Sequence, residues 1–160
     1  MNNLKQNGHT LLTFGWREWV NLPDLGLPAI KAKVDTGART SALHAFDLRP
    51  FVENGIQRIE FSIHPLQKNV DTVAICQADV LDKRMVSDSG GHKEERWVIM
   101  TTLVIGSHSW PIEMTLTGRD NMKFRMLLGR TALENRALVN ASGSYLVGKK
   151  PVRSNKKTGD

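Results

Sequence analysis

Apolar and polar residues alternate with a period of two in several segments of this chain, and this pattern constrains its fold most strongly. Ile30, Ala32 and Val34 alternate with lysines, and the same alternation returns at residues 59–63 and 112–116. Successive side chains of a strand point to opposite faces, so each segment predicts a strand with one buried face. Further β-rich segments lie at residues 11–20, 73–80, 97–105 and 124–128.

Turn signals separate these strands, and one segment has helical character. Residues 23–26 read Pro-Asp-Leu-Gly, and residues 106–109 predict the turn of a hairpin. Thr131 and Glu134 have the spacing of a capping box, which predicts a short helix. The apolar face of this helix is predicted to comprise Ala132, Leu133, Ala137 and Leu138. Many short strands with one helix predict an all-β barrel or sandwich.

The 160 residues, of which 40% are hydrophobic, are typical of one globular domain with a single core. We expect the domain to cover residues 11–147, between a flexible N-terminus at 1–10 and a disordered basic tail at 148–160. The tail has five Lys or Arg residues and one Asp, which gives +4 of the net charge of +6. Cys76 lies in an apolar segment and is predicted to be a small buried side chain. The chain lacks an apolar segment of signal-peptide or membrane-span length, so we expect a cytoplasmic location.

A polar segment between two predicted strands has the composition of a long hairpin. Residues 81–95 are rich in charged and small residues, with Gly90 and Gly91 near the middle. We expect this segment to project from the barrel as a mobile hairpin with Asp88 at its tip. The alternative is a surface loop without a role.

Asp35 follows an alternating strand and begins the sequence Asp-Thr-Gly-Ala. The glycine lets the backbone turn and lets a substrate approach closely, and the threonine hydroxyl is suited to locking the loop. Where two such loops meet, their carboxylates share one proton, because like charges so close do not both ionise. The ionised carboxylate then activates a water, and the protonated one polarises the scissile carbonyl. The motif alone is common, so its context decides its meaning.

The order of these features resembles that of the retropepsin-like aspartic proteases. It comprises a strand ending in Asp-Thr-Gly-Ala, a projecting hairpin, and the apolar segment ending in Gly129 and Arg130 before a helix. Residues 14–20, 31–45 and 144–149 resemble a bacterial and archaeal branch of this family. That branch is described as ATP-dependent zinc proteases, and also as proteins associated with the enzyme that adds glutamates to a ribosomal protein's C-terminus. The resemblance implies a closed barrel with a flap hairpin and one short C-terminal helix.

The resemblance also implies a role for each matching residue. Asp35 corresponds to the catalytic aspartate, Thr36 to the threonine that interlocks two loops across a dimer, and Gly37 to the loop glycine beside the substrate. Because one such aspartate is present per chain, the dyad requires a homodimer. Residues expected to bind the substrate are Ala38, Arg39, Gly90 and Gly91.

Two positions depart from the viral retropepsins. Arg39 stands where those proteins have Asp, and Thr131 stands where they have Asp or Asn. The Arg–Asp pairing that supports their dimer therefore cannot form in the same way. Arg39 is left either to bind an acidic substrate or to pair with an acid elsewhere in the fold.

We expect the substrate to be an acidic peptide, and the resemblance indicates a glutamate-extended C-terminal tail of a ribosomal protein. Lys31, Lys33 and Arg39 flank the Asp35 loop, and Arg130 ends the strand expected behind it. These charges attract carboxylate-rich chains, although Lys31 and Lys33 are expected to point outward from their strand.

Other classes of function have less support in the sequence. No histidines have the spacing of a zinc-protease helix, and His44 and His92 are better explained as a structural residue and a loop residue. A phosphate-binding glycine loop is lacking, so we expect no metal and no cofactor. With 6% aromatic residues and a net charge of +2 outside the tail, nucleic-acid binding is unexpected. Two alternatives stay open, a zinc-dependent protease and a non-catalytic barrel that binds a partner.

Overall fold

A computed structural model describes residues 4–6, 9–87, 90–118 and 123–150. Its elements in chain order are β1 (Leu4–Gln6), β2 (His9–Phe14), β3 (Arg17–Leu22), a 3-10 turn (Pro23–Leu25), β4 (Leu27–Val34), β5 (Ser41–His44), β6 (Phe46–Glu53), β7 (Ile56–Ile63), β8 (Ala74–Ser87), β9 (Lys93–Ile105), β10 (His108–Thr117), β11 (Met126–Leu128), α1 (Arg130–Leu133) and β12 (Ala137–Val139).

Six of these strands close into a barrel. Hydrogen bonding runs in the order β10, β5, β11, β4, β3 and β9, and β9 pairs with β10 to complete the ring. Strand β11 is parallel to β4 and antiparallel to β5, so a late strand separates two early ones. Strands β8, β7 and β6 continue the sheet from β9. The predicted all-β closed barrel is confirmed.

The period-two pattern produces this architecture because each alternating segment turns its apolar residues inward. Ile30 and Ala32 are fully buried, whereas Lys33 is exposed. The apolar residues of segments 59–63 and 112–116 are buried in the same core. Cys76 is also buried there, and its burial raises the pKa of the thiol to about 11. The thiol therefore stays protonated near neutral pH, which confirms a packing role and not a nucleophilic one.

The polar segment at 81–95 forms a hairpin, as predicted. Strands β8 and β9 stay paired as far as Ser87 and Lys93. The tip expected at Asp88 lies outside the described residues, and the mobility of the hairpin stays a prediction. The turn predicted at residues 106–109 also joins two antiparallel strands, β9 and β10.

The helix is shorter than predicted, and the prediction of a capping box is wrong. Helix α1 starts at Arg130 with Gly129 as its N-cap and no side-chain cap, while Glu134 stands at its C-terminal end. Ala132 and Leu133 are buried as predicted. Ala137 and Leu138 instead belong to β12, because this segment pairs with β2. No helix in the described ranges is long and apolar enough to cross a membrane.

The two ends of the chain contribute to the fold beyond the expected boundaries. Strands β1, β2 and β12 form a separate three-stranded sheet, so strand pairing begins at Leu4, inside the segment expected to be flexible. Gly148, the first residue of the predicted basic tail, is buried against the barrel. Residues 151–160 lie outside the described part of the chain, and their disorder stays a prediction.

Candidate functional site

Asp35 follows the last residue of β4, at the point where β11 lies between β4 and β5. Its N–H donates a hydrogen bond of 2.8 Å to the carbonyl oxygen of Leu128 at the end of β11. Its Oδ1 accepts a hydrogen bond of 3.0 Å from the N–H of Gly37. The carboxylate is half-buried, and Thr36 and Gly37 beside it are exposed. The loop is therefore held from behind by backbone and open in front.

The segment from Gly129 to Thr131 fixes the far side of this loop. The N–H of Arg130 donates to the carbonyl oxygen of Ala38 at 2.7 Å, and the N–H of Thr131 donates to that of Arg39 at 2.9 Å. The Arg130 side chain donates at 2.9 Å to the carbonyl oxygen of Thr36. The resemblance implied that the apolar-apolar-glycine strand packs behind the aspartate loop, and the backbone has this arrangement.

Gly129 is required at its position because two backbone segments approach closely there. Its N–H donates to the buried Ser41 hydroxyl at 3.0 Å. A Cβ at this position would lie 2.5 Å from the carbonyl carbon of Thr40, which is backbone and has no room to move aside. We expect Gly129→Ala to lower the free energy of unfolding by about 2 kcal/mol or more. Chemical denaturation measures this loss. Gly26→Ala is the comparison without a collision: a Cβ there would meet nothing within 4 Å, so its cost is only that of alanine at a φ of 69°.

Asp35 opens onto a cleft of about 1190 Å³. Nine lysine and arginine side chains line this cleft, and Asp35 is the one carboxylate among its described lining residues. Arg84 pairs with Asp82 and Glu113, and Arg96 pairs with Glu94. The other seven have no carboxylate partner among the described residues; they are Arg17, Lys31, Lys33, Arg39, Lys68, Lys123 and Arg130. The cleft therefore has a strong excess of positive charge.

Lys31 and Lys33 point outward from β4, as predicted, and the outer face of β4 is itself a wall of the cleft. Arg39 is exposed and lines the same cleft. The possibility that Arg39 serves a structural ion pair has no support among the described residues. Ala38 also lines the cleft, so both residues of the loop expected to bind substrate face it.

The hairpin contributes to the cleft through its arms and not through its glycines. Residues 84–87 line the cleft, while Gly90 and Gly91 lie exposed beyond them. At the base of the arms, the hydrogen bond from Arg84 lowers the pKa of the Asp82 carboxyl. Substrate contact by Gly90 and Gly91 stays a prediction.

The histidines are dispersed over the fold. His44 is buried at the end of β5, and His64 stacks on Phe46 with ring centroids 4.5 Å apart. The carboxylate of Glu94, near His92 in sequence, accepts from Arg96 at 2.8 Å. Within the described residues, no three His, Cys, Asp or Glu side chains are grouped closely enough to form a metal site.

A further wall of the cleft was not predicted from sequence. Trp16 and Arg17 line the cleft. Tyr145 packs against Arg17 and belongs to residues 144–148, called here the C-terminal segment. The strand predicted at residues 11–20 breaks here, because Gly15 lies against Gly143 and the N–H of Trp16 donates to its carbonyl oxygen at 2.8 Å. The segments 14–20 and 144–149 both resemble the family in sequence, but nothing in the sequence indicates that they meet.

Comparison with known families identifies the chain over most of its length. A sequence profile described as "Retropepsin-like aspartic endopeptidase RimB" matches residues 13–150. A protein of Shewanella halifaxensis named "Probable alpha-L-glutamate ligase" is 46% identical over 134 residues, and one of the same name from Parasynechococcus marenigrum is 51% identical over 134 residues. Each alignment covers 84% of this chain and 29% of the relative, so the chain spans under a third of the length of these relatives.

A solved structure has the same fold. A Legionella pneumophila protein of unknown function superposes with a TM-score of 0.69 and 23% sequence identity. The superposition covers 84% of this chain and 96% of that protein. At this identity the likeness concerns the fold alone.

Proposed function

The chain belongs to the RimB-like family of retropepsin-like aspartic endopeptidases, and we propose that it hydrolyses peptide bonds as a homodimer through two Asp35 carboxylates. The observation that carries this proposal is the Asp35 loop, held from behind by the backbone of β11 and opening onto a large cleft. A carboxylate fixed by backbone in this way keeps its position while a substrate binds in front of it.

The proposed chemistry needs a second Asp35 beside the first. One carboxylate of the pair is ionised and removes a proton from water, and the resulting oxygen nucleophile adds to the scissile carbonyl carbon. The other carboxyl group gives its proton to the carbonyl oxygen. In the second step the carboxyl group that took the proton from water gives it to the leaving nitrogen as the C–N bond breaks. A hydroxyl of the tetrahedral intermediate gives its proton to the other carboxylate as the carbonyl re-forms, so the pair again shares one proton.

A homodimer supplies the second carboxylate, because the described part of the chain places one aspartate on a loop of this kind. The exposed Thr36 and Gly37 lie at the surface that a two-fold related copy would meet. Arg39 and Thr131 exclude the ion pair found in viral retropepsins, so we propose that contacts other than that pair hold the two subunits together.

We propose that the substrate is an acidic peptide, and specifically a glutamate-extended C-terminal tail of a ribosomal protein. Seven lysines and arginines of the cleft lack a carboxylate partner among the described residues, and they support an acidic substrate, since a carboxylate-rich chain would neutralise them. The relatives named as glutamate ligases support the same class. In these relatives, the segment similar to this chain is part of a longer protein that is named as a glutamate ligase. A peptidase associated with such a ligase would remove the glutamates that the ligase adds.

Two peptides that differ only in a run of Glu or Gln test the substrate. We expect the Glu peptide to be cleaved with a kcat/KM at least roughly tenfold higher, because each carboxylate gains charge-assisted hydrogen bonds. The preference should shrink as salt rises, since the Debye length is about 10 Å at ~0.1 M. Product masses identify the scissile bond, and initial rates at several salt concentrations give the preference.

Equal cleavage of both peptides would contradict the acidic substrate and leave the peptidase standing. Cleavage of neither peptide by a chain that light scattering shows to be dimeric would contradict the peptidase and favour the non-catalytic binding barrel. Activity that survives in Asp35→Asn and is lost with a chelator would favour the zinc-dependent alternative.

A further inference from the structure

Arg17 contacts two aromatic rings, which no other lysine or arginine of the cleft does among the described residues. Its guanidinium carbon lies 4.6 Å from the centre of the Trp16 ring and 5.0 Å from that of Tyr145. Its Nε donates to the Ser144 hydroxyl at 3.2 Å. Trp16 is itself supported by Phe124 in an edge-to-face contact at 5.9 Å. These contacts orient the guanidinium plane before any ligand binds.

Tyr145 holds its place against Arg17 in a costly backbone conformation. Its φ of 55° lies in the left-handed region, which is unfavourable for a bulky residue other than glycine. The N–H of Tyr145 donates to the carbonyl oxygen of Arg17 at 2.9 Å, and its ring stacks on Trp19 at 6.0 Å. The contacts to β3 therefore outweigh the backbone strain and fix the ring over Arg17.

Glu18, the next residue along β3, holds residues 146–148 in place. Its side chain is fully buried, and its two oxygens accept hydrogen bonds from the N–H groups of Leu146, Val147 and Gly148 at 2.7 to 3.0 Å. Gly148 is required there because a Cβ would collide with the carbonyl oxygen of Trp19. The segment that carries Tyr145 thus supports Arg17, which lines the cleft.

The terminal nitrogens of Arg17 keep donors free for a ligand. Among the described residues, no carboxylate and no hydrogen-bond acceptor contacts these nitrogens. A half-buried guanidinium without a counter-charge favours an incoming anion. Arg17 is the cross-strand partner of Lys33 near the end of β4, and Asp35 follows two residues after Lys33, just beyond that strand. Two residues of a strand span about 7 Å, so Arg17 is placed within one or two peptide residues of the scissile bond.

We propose that Arg17 is a specificity-determining residue that binds a substrate carboxylate next to the scissile bond, and that Tyr145 and Glu18 are positioning residues for it. This proposal rests on the proposed function for its substrate class. It differs from a general attraction by the positive cleft, because it assigns one side chain to one position of the substrate. A fixed planar guanidinium binds a carboxylate through two parallel hydrogen bonds, which lysine cannot do.

The test uses Glu peptides in which one Glu at a time is replaced by Gln, on either side of the scissile bond. With the wild-type chain, one position should show the largest loss of kcat/KM on replacement. In Arg17→Gln, replacing that Glu with Gln should no longer lower kcat/KM. The KM of this variant for the Glu peptide should be raised roughly tenfold or more, with kcat little changed. Arg17→Lys should behave like Arg17→Gln, although it keeps the charge.

Three further variants separate this role from charge and from folding. Arg49→Gln removes an exposed charge on β6 and should leave every position unchanged. Tyr145→Phe keeps the ring and should keep the preference, whereas Tyr145→Leu should lose it while the thermal unfolding midpoint shows a folded chain. An Arg17→Lys variant that retains the preference, or an Arg17→Gln variant that weakens all positions equally, would overturn the proposal.

Calorimetric binding of the Glu and Gln peptides to Asp35→Asn gives a readout that does not need cleavage. Arg17→Gln in that background should weaken binding of the Glu peptide roughly tenfold or more and leave the Gln peptide unaffected. If the wild-type chain cleaves nothing, the proposed function fails, and this binding difference still decides on Arg17. Equal affinities with and without Arg17 would overturn the present proposal alone.

Discussion

Replacing Asp35 with Asn should lower kcat/KM by roughly 10³-fold or more while leaving the fold intact. Asparagine has nearly the shape of aspartate, and its amide oxygen can still accept the hydrogen bond that Gly37 donates to Oδ1. It has no ionised form, so it cannot remove a proton from the attacking water. Peptide cleavage rates measure the loss, and an unchanged unfolding midpoint shows that the fold is kept. Full activity in this variant would exclude Asp35 from the chemistry.

Mixing the two chains tests whether the aspartates act as a pair. A roughly ninefold excess of Asp35→Asn should lower the activity of a fixed amount of wild-type chain to about one tenth, because random exchange leaves about one tenth of the wild-type chains in wild-type dimers. A single active carboxylate per chain would instead leave the activity unchanged. A monomer at all concentrations would contradict the homodimer directly.

The largest effect on stability should come from Glu18→Ala. The Glu18 carboxylate accepts four backbone hydrogen bonds in a fully buried position, from Gly15 at 2.6 Å and from three residues of the C-terminal segment. Without it, several buried N–H groups lose their acceptor, and each costs about 1–3 kcal/mol. We expect the free energy of unfolding to fall by about 4 kcal/mol or more, measured by denaturant titration.

Two substitutions serve as controls for Glu18→Ala. Glu18→Gln keeps the volume but turns an amide group toward N–H donors, so it should lose part of the same stability. Glu53→Ala removes a carboxylate that pairs with Arg58 while 56% exposed, and it should cost less than about 1 kcal/mol. A loss in Glu18→Ala no larger than that in Glu53→Ala would show that Glu18 does not hold the C-terminal segment.

The strands were predictable because their signal is local. In each alternating segment, the positions of the apolar residues indicate which face is buried, as at Ile30 and Ala32. The helix failed for the opposite reason. The Thr131–Glu134 spacing is a valid local signal, but the pairing of Ala137 with Leu12 draws the following residues into a strand. That contact joins residues far apart in sequence, and no window of the sequence contains it.

The candidate site divides in the same way. The loop from Asp35 to Arg39 was predictable because the chemical motif and the strand before it are contiguous in sequence. The support of Arg17 by Tyr145 and Ser144 was not, since the hydrogen bond between Arg17 and Ser144 joins residues 127 positions apart. Glu18 within β3 reads as one polar residue of an alternating strand, yet it is buried inside the fold. Its role depends on donors that arrive from the other end of the chain.

The insertion of β11 between β4 and β5 sets the order in which the molecule can mature. Leu127 pairs with Lys33 on one side and with Ala42 on the other, so the barrel cannot close until a segment made much later reaches the gap. Closing such long loops is slow, because the chain loses much entropy before the contacts form. Asp35 lacks its Leu128 acceptor until then. We therefore expect the Asp35 loop to stay unformed in a nascent chain until residues 126–131 have left the ribosome, because the backbone partners that hold the loop lie in that segment.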